Sequence, residues 1–553
     1  MGNQGLQSAD LTEGFGHMTD IGTLNFAWSQ SMIEGFVASG ITDAVISPGS
    51  RSTPLALAML RHPRLRCHMV VDERCAAFFA MGVAKASRNP LLVLATSGSA
   101  PANWYPAIIE ANQACVPLVF ISADRPPELH GWGANQTVSQ SAMFADHVRA
   151  NHNLACPDAQ FDPDYLYRLA AKVVEQARWP LPGPVHINQP FREPLLPGAP
   201  TQFTKINAAP PQQHPVPAVP TSDICDLAKC ISGQSGIIIC GEMPATPEQS
   251  AAIAELAAAL NCPIIAEPLS GLRFGPHDRS HLCVRYGLWL GNDAAALPQP
   301  EWVIRFGAYP VTRRLQSYLT SVRKTCALIE PWPRWSDPAH QLTHLLRCHP
   351  TATCQALVQH AITPAPASWM ARFSELESMP PQTPDTTYVG TLIEKLPEDI
   401  ALFVGNSLPI RQIDTFSGSR AKRLPLFANR GASGIDGNLS TVMGLATAFG
   451  RAAALVGDLT CQHDIGGLAL ALGKNVIVVV VNNNGGGIFE QLPQSRLPEF
   501  ELGWKTPQQI DFSHAAATFG LQYAVANNQA SYGQALDQAL IAGGPHLIEL
   551  KQC

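Results

Sequence analysis

At 553 residues the chain is long enough for about three domains, each with its own core. Only 14% of the residues are charged and the net charge is −6, which excludes nucleic acid as the main partner and points to surface buried against copies of the same chain. Fourteen cysteines without one Cys-x-x-Cys pair exclude the usual zinc spacings and indicate reduced thiols of a cytoplasmic protein, and no apolar run is long enough for membrane insertion.

Residues 1–20 are polar and Gly-rich and read as a disordered extension without a signal-peptide pattern; Met18 is an alternative start. A helix from Asn25 then leads to the strand Asp43-Ala44-Val45-Ile46, which ends in Ser47-Pro48-Gly49-Ser50-Arg51-Ser52-Thr53-Pro54. Pro54 opens the next helix, as proline does in a first turn. Further strands are expected at 68–71, 91–95, 118–122 and 184–188. The first three of these end in Asp72-Glu73-Arg74, Thr96-Ser97-Gly98 and Asp124-Arg125-Pro126-Pro127. Strands alternating with helices predict a doubly wound parallel sheet over 21–206, with polar groups gathered at the strand ends.

Prolines at 210, 211, 215, 217 and 220 mark 207–223 as a linker. A second α/β block, 224–362, has expected strands at 235–240, 263–266 and 302–306 and an Ala-rich helix at 247–260. Its strand ends carry little chemistry apart from Arg313-Arg314. Pro-rich 363–386 separates it from the last block, 387–553.

That block holds the densest chemistry. Leu455-Val456-Gly457-Asp458-Leu459 reads as a strand and an acidic turn, 465–472 as a short helix, and 478–481 as a buried strand closed by Asn482-Asn483-Asn484-Gly485-Gly486-Gly487. One βαβ unit would bring Asp458 and Asn483 side by side at the carboxyl edge, where open sheets bind ligands. Mg²⁺ takes oxygen ligands and is held by one or two protein groups plus phosphate oxygens. The Asp458 carboxylate, the Asn483 amide oxygen and the Gly485 carbonyl are therefore candidate ligands of Mg²⁺ (or Mn²⁺) carrying a diphosphate. Taken alone, the same pattern also fits an Asp-capped helix and an ordinary Asn-Gly turn.

Two α/β blocks with loaded strand ends flanking a plainer one, together with Gly457-Asp458-Leu459 and Asn482-Asn483-Asn484-Gly485-Gly486, resemble the thiamine diphosphate enzymes. The common metal motif of that family is Gly-Asp-Gly, from which this chain departs at Leu459. The stretches Ser47–Pro54, Asp124-Arg125-Pro126-Pro127-Glu128-Leu129, Gly133-Ala134-Asn135-Gln136 and Asn429-Arg430-Gly431-Ala432-Ser433-Gly434-Ile435-Asp436-Gly437 narrow the likeness. They are similar to those members that join 2-oxoglutarate to isochorismate in menaquinone biosynthesis.

The resemblance implies three doubly wound parallel-sheet domains: pyrimidine-binding (21–206), central (224–362) and diphosphate-binding (387–553). It implies a transferase that uses thiamine diphosphate to decarboxylate 2-oxoglutarate and adds the succinyl carbanion equivalent 1,4 to isochorismate. It also implies a homodimer or homotetramer with sites between subunits. Glu73 would be the catalytic trigger, hydrogen-bonded to the pyrimidine ring nitrogen; on its own it is equally a helix-opening Glu. Ser433, Gly434, Ile435, Gly457, Leu459 and Ile488 would surround the cofactor with Glu73, Asp458, Asn483 and Gly485, and Ile435 would prop its bend. Ser50, Arg51, Arg125, Asn135, Gln136, Arg314, Ser407, Arg411 and Arg430 would meet the dicarboxylate substrates, since the guanidinium fork binds carboxylates at two points. Phe489 and Leu492 would line the apolar side. The family usually has Lys-Arg where this chain has Arg313-Arg314. The competing readings are an acetolactate synthase-like carboligase and a non-catalytic homologue; no dinucleotide fingerprint, P-loop or nucleophile elbow is present.

Overall fold

The structure, a computed structural model, describes residues 20–162, 164–198, 218–291, 297–322, 324–360, 362–379 and 387–552. The expected extension up to residue 19, residues 207–217 of the first linker and residues 380–386 of the second lie outside the described residues. The chain divides into two compact units, Met1–Gln212 and Gln213–Cys553.

The first unit is built on one parallel sheet. Its strands are β1 (Asp43–Ile46), β2 (Arg66–Met69), β3 (Leu91–Ala95), β4 (Leu118–Asp124), β5 (Ala150–Asn153) and β6 (Pro184–Pro190), in the order β2-β1-β3-β4-β6-β5. β1, β3, β4 and β6 are buried along their whole length, because helices cover both faces of a parallel sheet. The Ile21–Ala38 helix starts at Asp20, whose carboxylate accepts from the Gly22 and Thr23 amides. Its Phe26, Met32 and Ile33 pack with Ala44 and Ile46 of β1 and Val173 of the Asp164–Arg178 helix.

The second unit holds two parallel sheets. The first has β7 (Gly236–Cys240), β8 (Ile264–Ala266), β9 (Leu282–Cys283), β10 (Trp302–Phe306), β11 (Thr325–Ile329) and β12 (His344–Leu346), in the order β12-β11-β10-β7-β8-β9. The other has β13 (Ala401–Val404), β14 (Leu426–Phe427), β15 (Arg451–Gly457), β16 (Asn475–Asn482), β17 (Gln522–Ala526) and β18 (Pro545–Lys551), in the order β14-β13-β15-β16-β18-β17. This last order repeats that of the first unit strand for strand.

In a doubly wound sheet the ligand crevice opens where the strand order reverses. That point lies between β1 and β3, between β7 and β10, and between β13 and β15. At β7/β10 the crevice is closed by main chain. The Ala308 amide donates to Glu242 O at 2.9 Å, and a Cβ on Gly241 would lie 2.0 Å from Ala308 O. The central sheet therefore has no room at its switch point, and ligand chemistry falls to the outer two sheets.

Two expectations need correcting. The stretch 363–386, read as a linker, contains the Ala367–Ser378 helix, whose Trp369 and Phe373 are buried with Trp289 and Tyr318 of the central block. Asp458 does not lie in a turn: β15 ends at Gly457 and Asp458 opens the helix Asp458–His463.

Candidate active site

In the first unit, Asp72 caps the Glu73–Ser87 helix by accepting from the Arg74 and Cys75 amides at 2.9 and 3.1 Å. Glu73 is the first helical residue and is half-buried. Burial, with the neighbouring Asp72 charge adding to it, raises its carboxyl above the usual range.

The loop after β1 sends Arg51 inward. Its Nη1 donates to Phe191 O at 2.9 Å, its Nη2 pairs with Glu193 at 2.8 Å, and its Nε is buried without a hydrogen-bond partner. Arg125, just past β4, donates to Ser97 Oγ and, at 3.5 Å, to Gln136 Oε1. Burial first, and then the charge of Arg51, push its pKa down. A guanidinium whose charge is disfavoured by burial and by a neighbouring guanidinium marks a place that an anion would stabilise. Gln136 donates to Ser97 O at 2.8 Å from a left-handed backbone with φ +55°. Ser50 and Asn135 are exposed on the same loops, bonded through their carbonyls to Thr53 and Thr137.

A buried polar network fixes this corner. Asp124 accepts from the Arg125 amide at 2.7 Å and from Asn188 Nδ2 at 2.8 Å. Gln140 donates to Asn188 Oδ1 and accepts from the Gly98 amide, both at 2.9 Å. Ser122 contacts Asn188 Oδ1 at 2.9 Å and His186 Nε2 at 2.8 Å. Burial pushes His186 down to about 3, so the ring is neutral at pH 7. Its Nδ1 lies 2.9 Å from Asn151 Oδ1 and its Nε2 beside the Ser122 hydroxyl, whose proton goes to Asn188 Oδ1.

In the second unit the carboxyl ends of β15 and β16 meet as the βαβ return requires. Asp458 is buried; it accepts from the Leu459 amide at 2.8 Å and from the Gly485 amide at 2.7 Å. Burial nevertheless raises its carboxyl. Asn483 Oδ1 is buried with no hydrogen-bond partner. The Gly485 carbonyl accepts from the Gly487 amide at 2.9 Å and keeps a second lone pair. A carboxylate strained by burial and an orphaned amide oxygen beside a Gly-rich turn fit a hard cation holding a diphosphate.

The turn's shape is specific. Asn484 and Gly485 have φ of +58° and +126°, and a Cβ on Gly485 would lie 2.1 Å from Lys505 O, so glycine is required there. Asn482 accepts from the Asn484 amide at 3.0 Å and donates to Glu549 at 2.7 Å, and Glu549 also accepts from Tyr523 OH. Asp458, Leu459, Asn482, Asn484 and Glu549 line a cavity of about 380 Å³. The sequence reading missed Glu549; its signal was a lone carboxylate inside the apolar strand β18.

Beside this turn, Asn406 ties the loop after β13 to the loop after β14 at three points. Its Nδ2 donates to Asn429 O at 2.8 Å and to Gly434 O at 2.6 Å, and its Oδ1 accepts from Arg430 at 2.7 Å. Arg430 keeps a buried Nε without a hydrogen-bond partner. Ser407 precedes the Leu408–Phe416 helix at φ +72°, and Arg411 donates to its carbonyl at 2.6 Å. Burial, and then Arg430, lower the Arg411 pKa. Ser407, Arg411 and Arg430 are thus brought together. Ser433, at φ +64°, contacts Arg430 O at 3.4 Å, and Gly434 O also accepts from Asn438 at 3.2 Å. Ile435, Ile488 and Phe489 are half-buried, whereas Leu492 is exposed. Arg314 is exposed at the start of the Arg313–Leu319 helix and donates to Gly287 O at 3.2 Å.

Three domain families match the chain. They are the N-terminal TPP binding domain of thiamine pyrophosphate enzymes over residues 27–143, the middle domain of thiamine pyrophosphate over 218–395, and the C-terminal TPP binding domain over 419–550. Benzoylformate decarboxylase from Polynucleobacter necessarius has a similar fold, with a TM-score of 0.74 at 16% identity, covering 95% of this chain and 98% of that one. A 2-succinyl-5-enolpyruvyl-6-hydroxy-3-cyclohexene-1-carboxylate synthase from Dechloromonas aromatica is 59% identical over 537 residues, 97% of this chain and 100% of the relative. The synthase of that name from Geobacillus kaustophilus is 38% identical over 545 residues, 95% of this chain and 94% of the relative. With sheets, strand-end residues and full-length relatives in agreement, the chain belongs to the 2-succinyl-5-enolpyruvyl-6-hydroxy-3-cyclohexene-1-carboxylate synthases, a family of thiamine pyrophosphate enzymes.

Proposed function

We propose that the chain decarboxylates 2-oxoglutarate with thiamine diphosphate and adds the succinyl carbanion equivalent 1,4 to isochorismate, as a transferase of menaquinone biosynthesis. The observation that carries this is the cluster of Arg411 and the half-buried Arg430 around the constrained Ser407, where burial and then the Arg430 charge lower the Arg411 pKa. Desolvating two like charges is unfavourable unless an anion completes the site, and dicarboxylates supply one. An acetolactate-type enzyme, working on monocarboxylates, would leave part of that charge unanswered.

When bound, thiamine diphosphate supplies the electron sink at its thiazolium ring. Glu73 would hydrogen-bond the pyrimidine ring nitrogen, and Ile435 would be the apolar prop beneath the cofactor. Ser433, Gly434, Gly457, Leu459 and Ile488 enclose the cofactor. Asp458, Asn483 and the Gly485 carbonyl would hold Mg²⁺ (or Mn²⁺) on the diphosphate. Ser50, Arg51, Arg125, Asn135 and Gln136 bind and orient substrate, as do Arg314, Ser407, Arg411 and Arg430, while Phe489 and Leu492 exclude water. Functional domains at 21–206, 224–362 and 387–553, a cytoplasmic location, and a homodimer or homotetramer in which two subunits complete each site belong to the same reading.

The test is consumption of 2-oxoglutarate by purified protein with thiamine diphosphate and Mg²⁺, with and without isochorismate. Consumption should depend on isochorismate and fall by about 10²-fold or more in Glu73→Gln. Turnover of pyruvate in its place would move the chain to the acetolactate-type reading.

A further inference from the structure

The central sheet has a closed crevice, yet its block makes buried contacts with the Leu408–Phe416 helix that carries Arg411, through Phe274 and through Arg273. Arg273 is wholly buried. Its Nε donates to Ala266 O at 2.8 Å, its Nη1 to Asp414 O at 2.7 Å and to Ser417 Oγ at 3.0 Å, and its Nη2 to Asp414 Oδ1 at 2.7 Å. Asp414 Oδ1 also accepts from Tyr286 OH, and Asp414 Oδ2 accepts from Thr312 Oγ1 at 2.7 Å. One carboxylate is therefore shared by groups from three segments of the central block.

The carboxylate and two of these segments lead to substrate-side arginines. Asp414 lies one turn beyond Arg411 in the Leu408–Phe416 helix, so fixing Asp414 fixes the face that presents Arg411. Thr312 is the capping residue of the Arg313–Leu319 helix, which carries Arg314. Tyr286 opens the Tyr286–Trp289 helix, whose Gly287 O accepts from Arg314 at 3.2 Å. Ser407, at φ +72°, begins the Asp414 helix in a conformation that persists only when its surroundings over-determine it. Asn406 holds one side of it and the Arg273–Asp414 anchor holds the other.

We propose that Asp414 is a positioning residue that sets the spacing of Arg411 and Arg314 for the substrate carboxylates. The inference rests on the reading of Arg411 as a substrate-binding residue.

The experiment compares Thr312→Val, Asp414→Asn and Arg411→Ala as full-length proteins with thiamine diphosphate and Mg²⁺. Thr312→Val removes one hydrogen bond and leaves the buried ion pair intact, so it keeps the test meaningful should Asp414→Asn fail to fold. The expected result is that Thr312→Val and Asp414→Asn raise by about tenfold the KM of the same acid that Arg411→Ala affects, with kcat little changed. Thiamine diphosphate titrated by tryptophan fluorescence should bind as in the parent protein, and amides of residues 408–416 should exchange faster. If Arg411→Ala raises a KM and neither anchor variant does, the proposal is overturned. Loss of cofactor affinity and melting temperature together with kcat would assign Asp414 a general structural role and overturn it as well. If Arg411→Ala changes neither KM, the reading of the site itself fails and takes the positioning role with it.

Discussion

Glu73 and Asp458 are both carboxyls raised by burial, yet the proposed reaction would use them differently. Glu73 would hydrogen-bond the pyrimidine nitrogen. Asp458 would ligate the cation, whose charge would offset its desolvation. Glu267, the first residue after β8 in the central sheet, presents a third case. It is buried, accepts from the Val311 amide at 2.7 Å, and faces the charges of Asp414, Arg273 and Arg430. Burial pushes it up to about 8, from the 4.5 of an exposed glutamate. Between those values the folded protein holds a proton that the unfolded chain releases. Its contribution to stability is therefore full below pH 4.5 and is lost as pH rises through about 8. Melting temperatures measured across that range should fall with pH more steeply in the parent protein than in Glu267→Gln. Equal slopes would mean that the carboxyl finds a compensating partner.

Among the elements, the Asn482–Gly487 turn concentrates the demands of the site. Gly485→Ala would force a side chain into the left-handed region and against Lys505 O, costing on the order of 1–3 kcal/mol locally. The turn is one loop among eighteen strands, so the melting temperature of the cofactor-free protein should move little. The Mg²⁺ concentration that half-stabilises the protein with thiamine diphosphate should rise by about tenfold or more. An unchanged Mg²⁺ midpoint in thermal-shift titrations would remove the turn from the metal site. Legibility in the sequence divides along physical lines. Continuous apolar runs gave β3 and β10 at their true ends, because central parallel strands need apolar residues on both faces. β5, β9 and β12 escaped notice because they are short edge strands, and prolines on both sides hid the Ala367–Ser378 helix. The meeting of Asp458 with the Asn483–Gly485 turn was readable because the two lie within 27 residues of one another on one βαβ unit. Arg273 and Asp414 were not, because they stand 141 positions apart and only folding joins them.

At the scale of the molecule, two sheets of identical strand order carry the chemical groups, and a third, wound differently, carries almost none. A chain with only 14% charged residues has apolar surface to cover, and Trp132, Val71, Leu472 and Leu502 are all strongly exposed in the single chain. Light scattering should therefore give the mass of a dimer or tetramer. On dilution, specific activity should fall in step with dissociation; a fully active monomer would contradict shared sites. The closed β7/β10 crevice has its own consequence for inheritance. Where Gly241 meets Ala308 O, even the smallest added side chain must part the two loops. This position lies in the block poorest in chemical groups, yet variants there should be purged in natural populations as firmly as those at Asp458. A map of tolerated variation along the gene would thus show an island of constraint in its middle third, and only its underlying cause, packing in place of chemistry, would distinguish it from the islands at either end.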